Sequence, residues 1–176
     1  MTRKKRSVRH IIHPRYHLTV RAVLDASAIL EGFEPVPPDE FVVPPSVVEE
    51  ISKGRAGWRM QALVEAGLAV IEPEKDAHAR VMEAVKELGE QQRLSAPDID
   101  VIALSMSLGV PCVTDDYSIQ NVATSVGVDT IPFKQGGIEE IWHWGIRCPG
   151  CHRWYDKAKG SECPVCGTEL RTARRR

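Results

Sequence analysis

Residues 20–31, VRAVLDASAILE, set the frame for the rest of the chain. Val20 to Leu24 is a short apolar run rich in β-branched residues, and a helical pattern follows without a gap. That combination suits an interior strand of a parallel sheet running straight into a helix. Asp25 stands at the junction. A carboxylate there either caps the helix, as Ser27 also could, or lies in the crevice at the carboxyl ends of the strands, where open α/β sheets bind ligands. The choice turns on whether other carboxylates reach the same edge.

Taken in order, the chain alternates. The first helix stops at Gly32, and 34–40 is a Pro-rich loop. Phe41–Val43 reads as a strand, and Ser46 opens a helix with a capping box, Ser46-x-x-Glu49. The box occupies Glu49 and leaves Glu50, about 100° away, for any site. Trp58–Ala66 reads as a helix, Leu68–Ile71 as a strand, Glu74–Leu88 as an amphipathic helix and Gly89–Leu94 as a polar connector. Ser95 is a helix N-cap with Pro97 in the first turn and Asp98 at the third position. That helix runs to Gly109, placing Asp100 about 200° from Asp98 and so away from its site. Val110–Val113 is a strand ending in Thr114-Asp115-Asp116, Tyr117–Val126 a helix, and Val128–Pro132 a last strand. This order predicts an α/β fold, a parallel-sheet α/β/α sandwich. Asp25, Glu50, Asp98 and Asp115 or Asp116 then fall at or just after helix starts. Each alone could complement a helix dipole, worth about 0.3–1 kcal/mol. Together at one edge they repel and raise one another's pKa unless a cation neutralises them. Hard oxygen ligands of this kind suit Mg²⁺ or Mn²⁺.

Composition agrees with a chain of this design. Its 176 residues, 43% hydrophobic, hold one ordinary domain and a small appendage. No apolar run is long enough to span a bilayer and the N-terminus lacks the apolar segment of a secretory signal, so a soluble, cytoplasmic protein without membrane contact is expected. The net charge of −1 conceals a strong asymmetry. Seven Lys or Arg and no acid precede Asp25, 22–144 carries eight basic and 21 acidic residues, and 145–176 carries eight basic and three acidic. An acidic body between basic ends suits a metal site flanked by segments that hold a polyanion. Solvated tails are the other reading, preferred for 171–176. Residues 1–19 show no clean periodicity. Arg3, Lys4, Lys5, Arg6, Arg9 and Arg15 make them basic, and His10, His13 and His17 there meet solvent or a polyanion more readily than a metal.

Four of the five cysteines form Cys148-Pro-Gly-Cys151 and, after eleven residues, Cys163-Pro-Val-Cys166. Each CxxC turn supplies two thiolates to a tetrahedral ion, so the spacing predicts a zinc ribbon. Two disulfides are the alternative, which an intracellular setting argues against. So short a segment has almost no core, and zinc would supply about 10–16 kcal/mol of folding energy. Cys112 sits in an apolar strand and is a buried small residue.

At this point Asp25-Ala-Ser27, Glu50, Asp98 with Ile102-Ala103, and Thr114-x-Asp116 resemble the four acidic motifs of PIN-domain ribonucleases, over roughly Val20 to Phe133. Ala26 stands where Thr is frequent in that family. The resemblance selects Asp116 over Asp115, which could assist, and makes Ser27 and Thr114 hydroxyls that orient the carboxylates. With the ribbon, and with Thr114-Asp-Asp-Tyr117-Ser-Ile-Gln120-Asn121 and Leu94-Ser-Ala-x-Asp98-Ile, the chain resembles Nob-type endonucleases, although its long basic N-terminus departs from their shortest members. The expected division is 1–19 as a basic extension, 20–135 as the nuclease domain, 136–145 as a linker, 146–170 as the ribbon and 171–176 as a basic tail. The resemblance implies a metal-dependent endoribonuclease that matures the 3′ end of small-subunit ribosomal RNA. The site would be Asp25, Glu50, Asp98 and Asp116 holding one or two Mg²⁺ or Mn²⁺, with Zn²⁺ on Cys148, Cys151, Cys163 and Cys166. The implied partners are the small-subunit precursor RNA, a late pre-ribosomal particle and other small-subunit assembly factors. Arg147, Arg153, Lys157, Lys159 and Arg174–Arg176 would meet phosphates. Trp154 or Tyr155 would stack on a base or pack on the zinc site, while Trp142 and Trp144 would pack. A toxin-type PIN ribonuclease acting on transfer or messenger RNA, a structure-specific DNA nuclease and a non-catalytic RNA-binding assembly factor are the alternatives.

Overall fold

The computed structural model of the protein describes residues 11–13, 18–134, 136–138, 140–156 and 160–175. The basic residues Arg3 to Arg9, with Arg15, His10, His17, Lys157, Lys159 and Arg176, lie outside the described residues. An antiparallel hairpin, β1 (Ile11–His13) and β2 (Leu18–Val20), leads in. β3 (Ala22–Leu24) follows at once and occupies the middle of a five-stranded parallel sheet. The others are β4 (Phe41–Val43), β5 (Ala69–Val70), β6 (Cys112–Val113) and β7 (Thr130–Ile131), in the order β5-β4-β3-β6-β7. Every residue of β3, β4 and β6 is buried, as expected for strands covered on both faces.

Among the described residues six α-helices flank the sheet: α1 (Ala26–Leu30), α2 (Pro45–Glu50), α3 (Gly54–Glu65), α4 (Lys75–Leu88), α5 (Ala96–Leu108) and α6 (Tyr117–Ser125). α5 is apolar nearly all round and buries Ile99, Val101, Ile102, Ala103, Leu104 and Leu108, the pattern of a core helix. Its ends are set by the Ser95–Asp98 capping box and by Gly109, whose φ of 66° ends the helix in the left-handed region. α3 begins four residues before Trp58, because Gly54 to Gly57 gave no apolar periodicity to read.

The strand order places the site. From β3 the chain steps one way through β4 to β5, then returns to the other side of β3 for β6 and β7. The crevice between β3 and β6 is therefore the point where the winding reverses, the usual ligand position of an open sheet. Leu24 pairs with Val113 across it, and Asp25 N donates to Val113 O at 3.2 Å.

A second sheet closes the chain: β8 (His143–Arg147), β9 (Trp154–Tyr155) and β10 (Arg171–Arg175), antiparallel in the order β10-β8-β9. Two expectations change here. Residues 143–145, read as linker, form the start of β8, and 171–175, read as a solvated tail, are a strand paired along its length with β8. The ladder is made by main-chain groups, so an Arg-rich sequence does not prevent it. Among the described residues, no helix is long and apolar enough to cross a membrane.

Candidate active site and cysteine centre

Asp25 occupies the N-cap position of α1 but makes no capping hydrogen bond. Its Oδ2 instead accepts from the Ser27 hydroxyl at 2.5 Å and the Thr114 hydroxyl at 2.9 Å. The carboxylate is thus aimed, not spent on the helix. Thr114 does a second job: its oxygen accepts from Asp116 N at 3.0 Å, so one buried hydroxyl joins the end of β3 to the end of β6. Asp116 caps α6 through Oδ1, which accepts from Ser118 N at 2.6 Å and Ile119 N at 3.3 Å. Asp98 is the acid of the α5 capping box, its Oδ2 accepting from Ser95 N at 2.7 Å. These hydrogen bonds engage one oxygen each of Asp98 and Asp116 and leave the second for a ligand.

The three aspartates sense one another. Burial pushes the Asp25 carboxyl above its usual range, against the lowering effect of the two hydroxyls, and the charge of Asp98 adds to the rise. Burial likewise raises Asp98, with Asp116 adding to it. Among the described residues no Lys, Arg or His pairs with any of the three. Uncompensated carboxylates at the switch point of the sheet are the chemistry of a cation site, and their oxygens fit a hard divalent ion.

Asp115 goes elsewhere. Its carboxylate accepts from Phe133 N at 3.0 Å and Lys134 N at 2.9 Å, tying down the loop after β7 rather than joining Asp116. Asp100 also points away, accepting from the Ser46 hydroxyl at 2.7 Å and lying 3.5 Å from His78 Nε2.

The Ser46 capping box is not formed. Pro45 takes the first helical position, which proline favours, so Pro44 is the cap residue and Ser46 lies inside the helix. Glu49 is therefore not reserved by a box, and both glutamates are exposed. Another feature separates them. Ser46 and Glu50, four apart, share a helix face, and Ser46 reaches α5 through Asp100. Glu50 consequently lies on the side of α2 that faces the helix carrying Asp98, while Glu49 is turned about 100° from it.

A Thr114→Val substitution removes the hydroxyl that serves both Asp25 and Asp116. Divalent-metal affinity and activity are expected to fall about 10–100-fold with the fold intact. Manganese titration monitored alongside circular dichroism checks this.

The four cysteines of the ribbon make no disulfide. Their sulfurs all lie within 4.8 Å of one another, with Cys148–Cys166 at 3.4 Å and Cys151–Cys163 at 3.5 Å. A tetrahedron with Zn–S bonds of about 2.3 Å has edges of about 3.8 Å, so the site could hold zinc as it stands. The Tyr155 hydroxyl, 3.0 Å from Cys163 Sγ, holds that thiol down at about 6, and Thr168 lowers Cys166. Two ligands thus lean towards the thiolate form that metal needs. Tyr155 serves the cysteine centre, the packing role allowed for it. Among the described residues this is the set drawn close enough to close on an ion directly. The aspartates are not drawn together that closely.

Comparison with known proteins agrees with this geometry. A family described as PIN domain of ribonuclease matches residues 22–108. The chain is 35% identical over 163 residues to Endoribonuclease Nob1 of Methanothermobacter thermautotrophicus, covering 89% of this chain and 95% of that protein. The chain belongs to the Nob1 family of endoribonucleases. It is also 31% identical over 149 residues to Ribonuclease VapC1 of Thermoplasma acidophilum, covering 85% and 76% of the two chains. A shorter likeness, 32% over 60 residues, 34% of this chain and 16% of that protein, is to the 20S-pre-rRNA D-site endonuclease nob1 of Schizosaccharomyces pombe.

In this Nob1-family chain the two modules are joined where Trp144, expected to pack, meets a residue with no such expectation. Glu90, placed in a polar connector, is fully buried. Its Oε1 accepts from Trp144 Nε1 and Asn121 Nδ2, both at 2.8 Å. Arg93 lies 3.5 Å over the Trp144 ring. Gly89 is needed beside it: a Cβ there would stand 2.5 Å from Trp144 O, at a φ of 75°. The motif Gly-Glu after an amphipathic helix gave no signal, because its partners are 31 and 54 residues away. Glu90→Ala leaves two buried donors without that acceptor and is expected to cost about 2–3 kcal/mol. Glu90→Gln, which keeps an acceptor oxygen, should cost less in urea unfolding.

Proposed function

We propose that this chain cuts the precursor of small-subunit ribosomal RNA to generate its mature 3′ end, with Asp25, Glu50, Asp98 and Asp116 holding Mg²⁺ or Mn²⁺ and the four cysteines holding Zn²⁺. The observation that carries it is the group of aspartates at the β3–β6 crevice, Asp25 buried, Asp98 half-buried and Asp116 exposed, with no cationic side chain among the described residues to neutralise them. Membership of an endoribonuclease family supplies the reaction class, and the name of the Schizosaccharomyces pombe relative supports the substrate.

One or two divalent ions bound there would supply Lewis-acid stabilisation and an activated water. The chain's own residues do the rest. Ser27 and Thr114 fix the Asp25 carboxylate, and the capping bonds of Asp98 and Asp116 fix theirs. Preset ligands need no reorganisation when the phosphate arrives. Residues 20–135 form the nuclease domain in this reading. The ribbon presents Arg147, Arg153, Arg171, Arg174 and Arg175 to RNA phosphates, which position the substrate without reading sequence. A late pre-ribosomal particle and its assembly factors are the setting, and the basic N-terminal extension adds charge towards RNA.

Incubation with Mn²⁺ and equal amounts of small-subunit precursor, transfer RNA, an unrelated messenger RNA and single-stranded DNA separates the readings. A single major cut in the precursor is expected. Equal cutting of transfer or messenger RNA would favour the toxin-type reading, cutting of DNA a DNA nuclease, and binding without any cut an assembly factor.

A further inference from the structure

We propose that the cleft between the start of α6 and the ribbon is a subsite for an unpaired nucleotide next to the phosphodiester that is cut. It rests on the reading of the acidic edge as an RNA-cutting site. Tyr117 follows Asp116 directly at the first position of α6 and is 40% exposed. Trp142 faces it, with ring centroids 5.9 Å apart and planes at 35°. Arg174 of β10 sets its guanidinium 5.0 Å from the Trp142 ring centroid and pairs with Glu140 at 3.4 Å. With Gly137 and Ile138 these residues line an open cleft of about 740 Å³.

The cleft is built on the helix that Asp116 caps. Trp142 is held by its main chain: its N donates to Asn121 Oδ1 at 2.6 Å and its O accepts from Asn121 Nδ2 at 2.7 Å. Ile138 N donates to Gln120 Oε1 at 3.0 Å. Gln120 and Asn121 are fully buried on α6. Both walls of the cleft therefore keep a fixed relation to the acids. The Trp142 ring is further braced edge-on by Trp144, with centroids 6.1 Å apart, which leaves the exposed Tyr117 ring as the face that meets a ligand.

Two aromatic faces beside a guanidinium bind a nucleotide by stacking its base and pairing its phosphate, with little regard to sequence. A base in a duplex offers no open face, so the occupant is unpaired. The Arg174–Glu140 pair is exposed on the Glu140 side, 71% accessible, and such pairs contribute little. A phosphate can take the place of Glu140.

The full-length, zinc-loaded chain carrying Asp25→Asn, which binds without consuming RNA, is mixed with precursor RNA holding the fluorescent base 2-aminopurine at each position around the cut in turn. One position is expected to be quenched at least about twofold more than its neighbours. Tyr117→Leu should abolish the extra quenching and Tyr117→Phe should keep it. Quenching that is the same with Tyr117→Leu at every position overturns the subsite. In the active chain, an abasic nucleotide at that position and Tyr117→Leu should each lower kcat/KM about tenfold, and no further together. Losses that multiply also overturn it. Failure of the wild type to cut RNA would instead count against the acidic edge, while the quenching, which needs binding alone, still decides the subsite.

Discussion

Cys163→Ser is expected to unfold the ribbon and leave the nuclease domain folded. Among the described residues of 145–175, Cys148 and Cys163 are the buried apolar side chains, so this module has no core apart from its cysteine centre. Zinc on four thiolates contributes about 10–16 kcal/mol in modules of this size, more than three strands of two to five residues supply alone. In heteronuclear NMR spectra, the amides of 146–175 should collapse to unfolded positions. Those of α4 to α6 should stay dispersed, because the Glu90–Trp144 contact is made on the nuclease side of the cysteines. RNA affinity should fall at least about tenfold with the loss of ordered arginines. An unchanged spectrum would mean that zinc does not hold this segment together.

Asp25→Asn should change stability in opposite directions with and without divalent ions. Burial and the neighbouring Asp98 raise the Asp25 carboxyl above its unfolded value of 3.8. A raised carboxyl binds protons more tightly in the folded state. Its favourable contribution is present below the unfolded pKa and is lost as pH rises through the folded one. At pH 7, above the unfolded value, ionising this buried carboxyl therefore opposes folding of the metal-free protein. Asparagine removes that charge, so zinc-loaded protein freed of other divalent ions should melt higher as Asp25→Asn than as wild type at pH 7. The difference should shrink towards pH 3. With millimolar Mn²⁺ the order should reverse, because a ligand that binds only the folded wild type stabilises it. Cleavage should fall by about 10³-fold or more, from loss of several kcal/mol of charge stabilisation. A variant that melts lower than wild type without Mn²⁺ would contradict this account of the site.

The parts legible in the sequence share one property: their cause is local. Asp25 and the Asp115-Asp116 pair stand out as acids at strand-to-helix junctions, with the family resemblance choosing Asp116, and Asp98 stands out through a capping box complete within four residues. The CxxC pairs carry their geometry in their spacing. The missed parts depend on distant partners or on competition. Glu90 looks like any surface acid until Trp144 and Asn121 are brought to it. Ser46-x-x-Glu49 has the letters of a capping box, but Pro45 claims the first turn and moves the serine inside. Arg171–Arg175 has the composition of a solvated tail, yet its main chain completes the ribbon sheet.

The most direct test is a single-turnover cleavage map of small-subunit precursor RNA spanning its mature 3′ end, across a Mn²⁺ titration, with wild type and Asp98→Asn. The Asp98 carboxylate is fixed by Ser95 and coupled electrostatically to both other aspartates. The account predicts one metal-dependent cut at the mature 3′ end by wild type, and a rate lower by about 10³-fold for Asp98→Asn at equal RNA binding. Cutting by Asp98→Asn at the wild-type rate and position would contradict it.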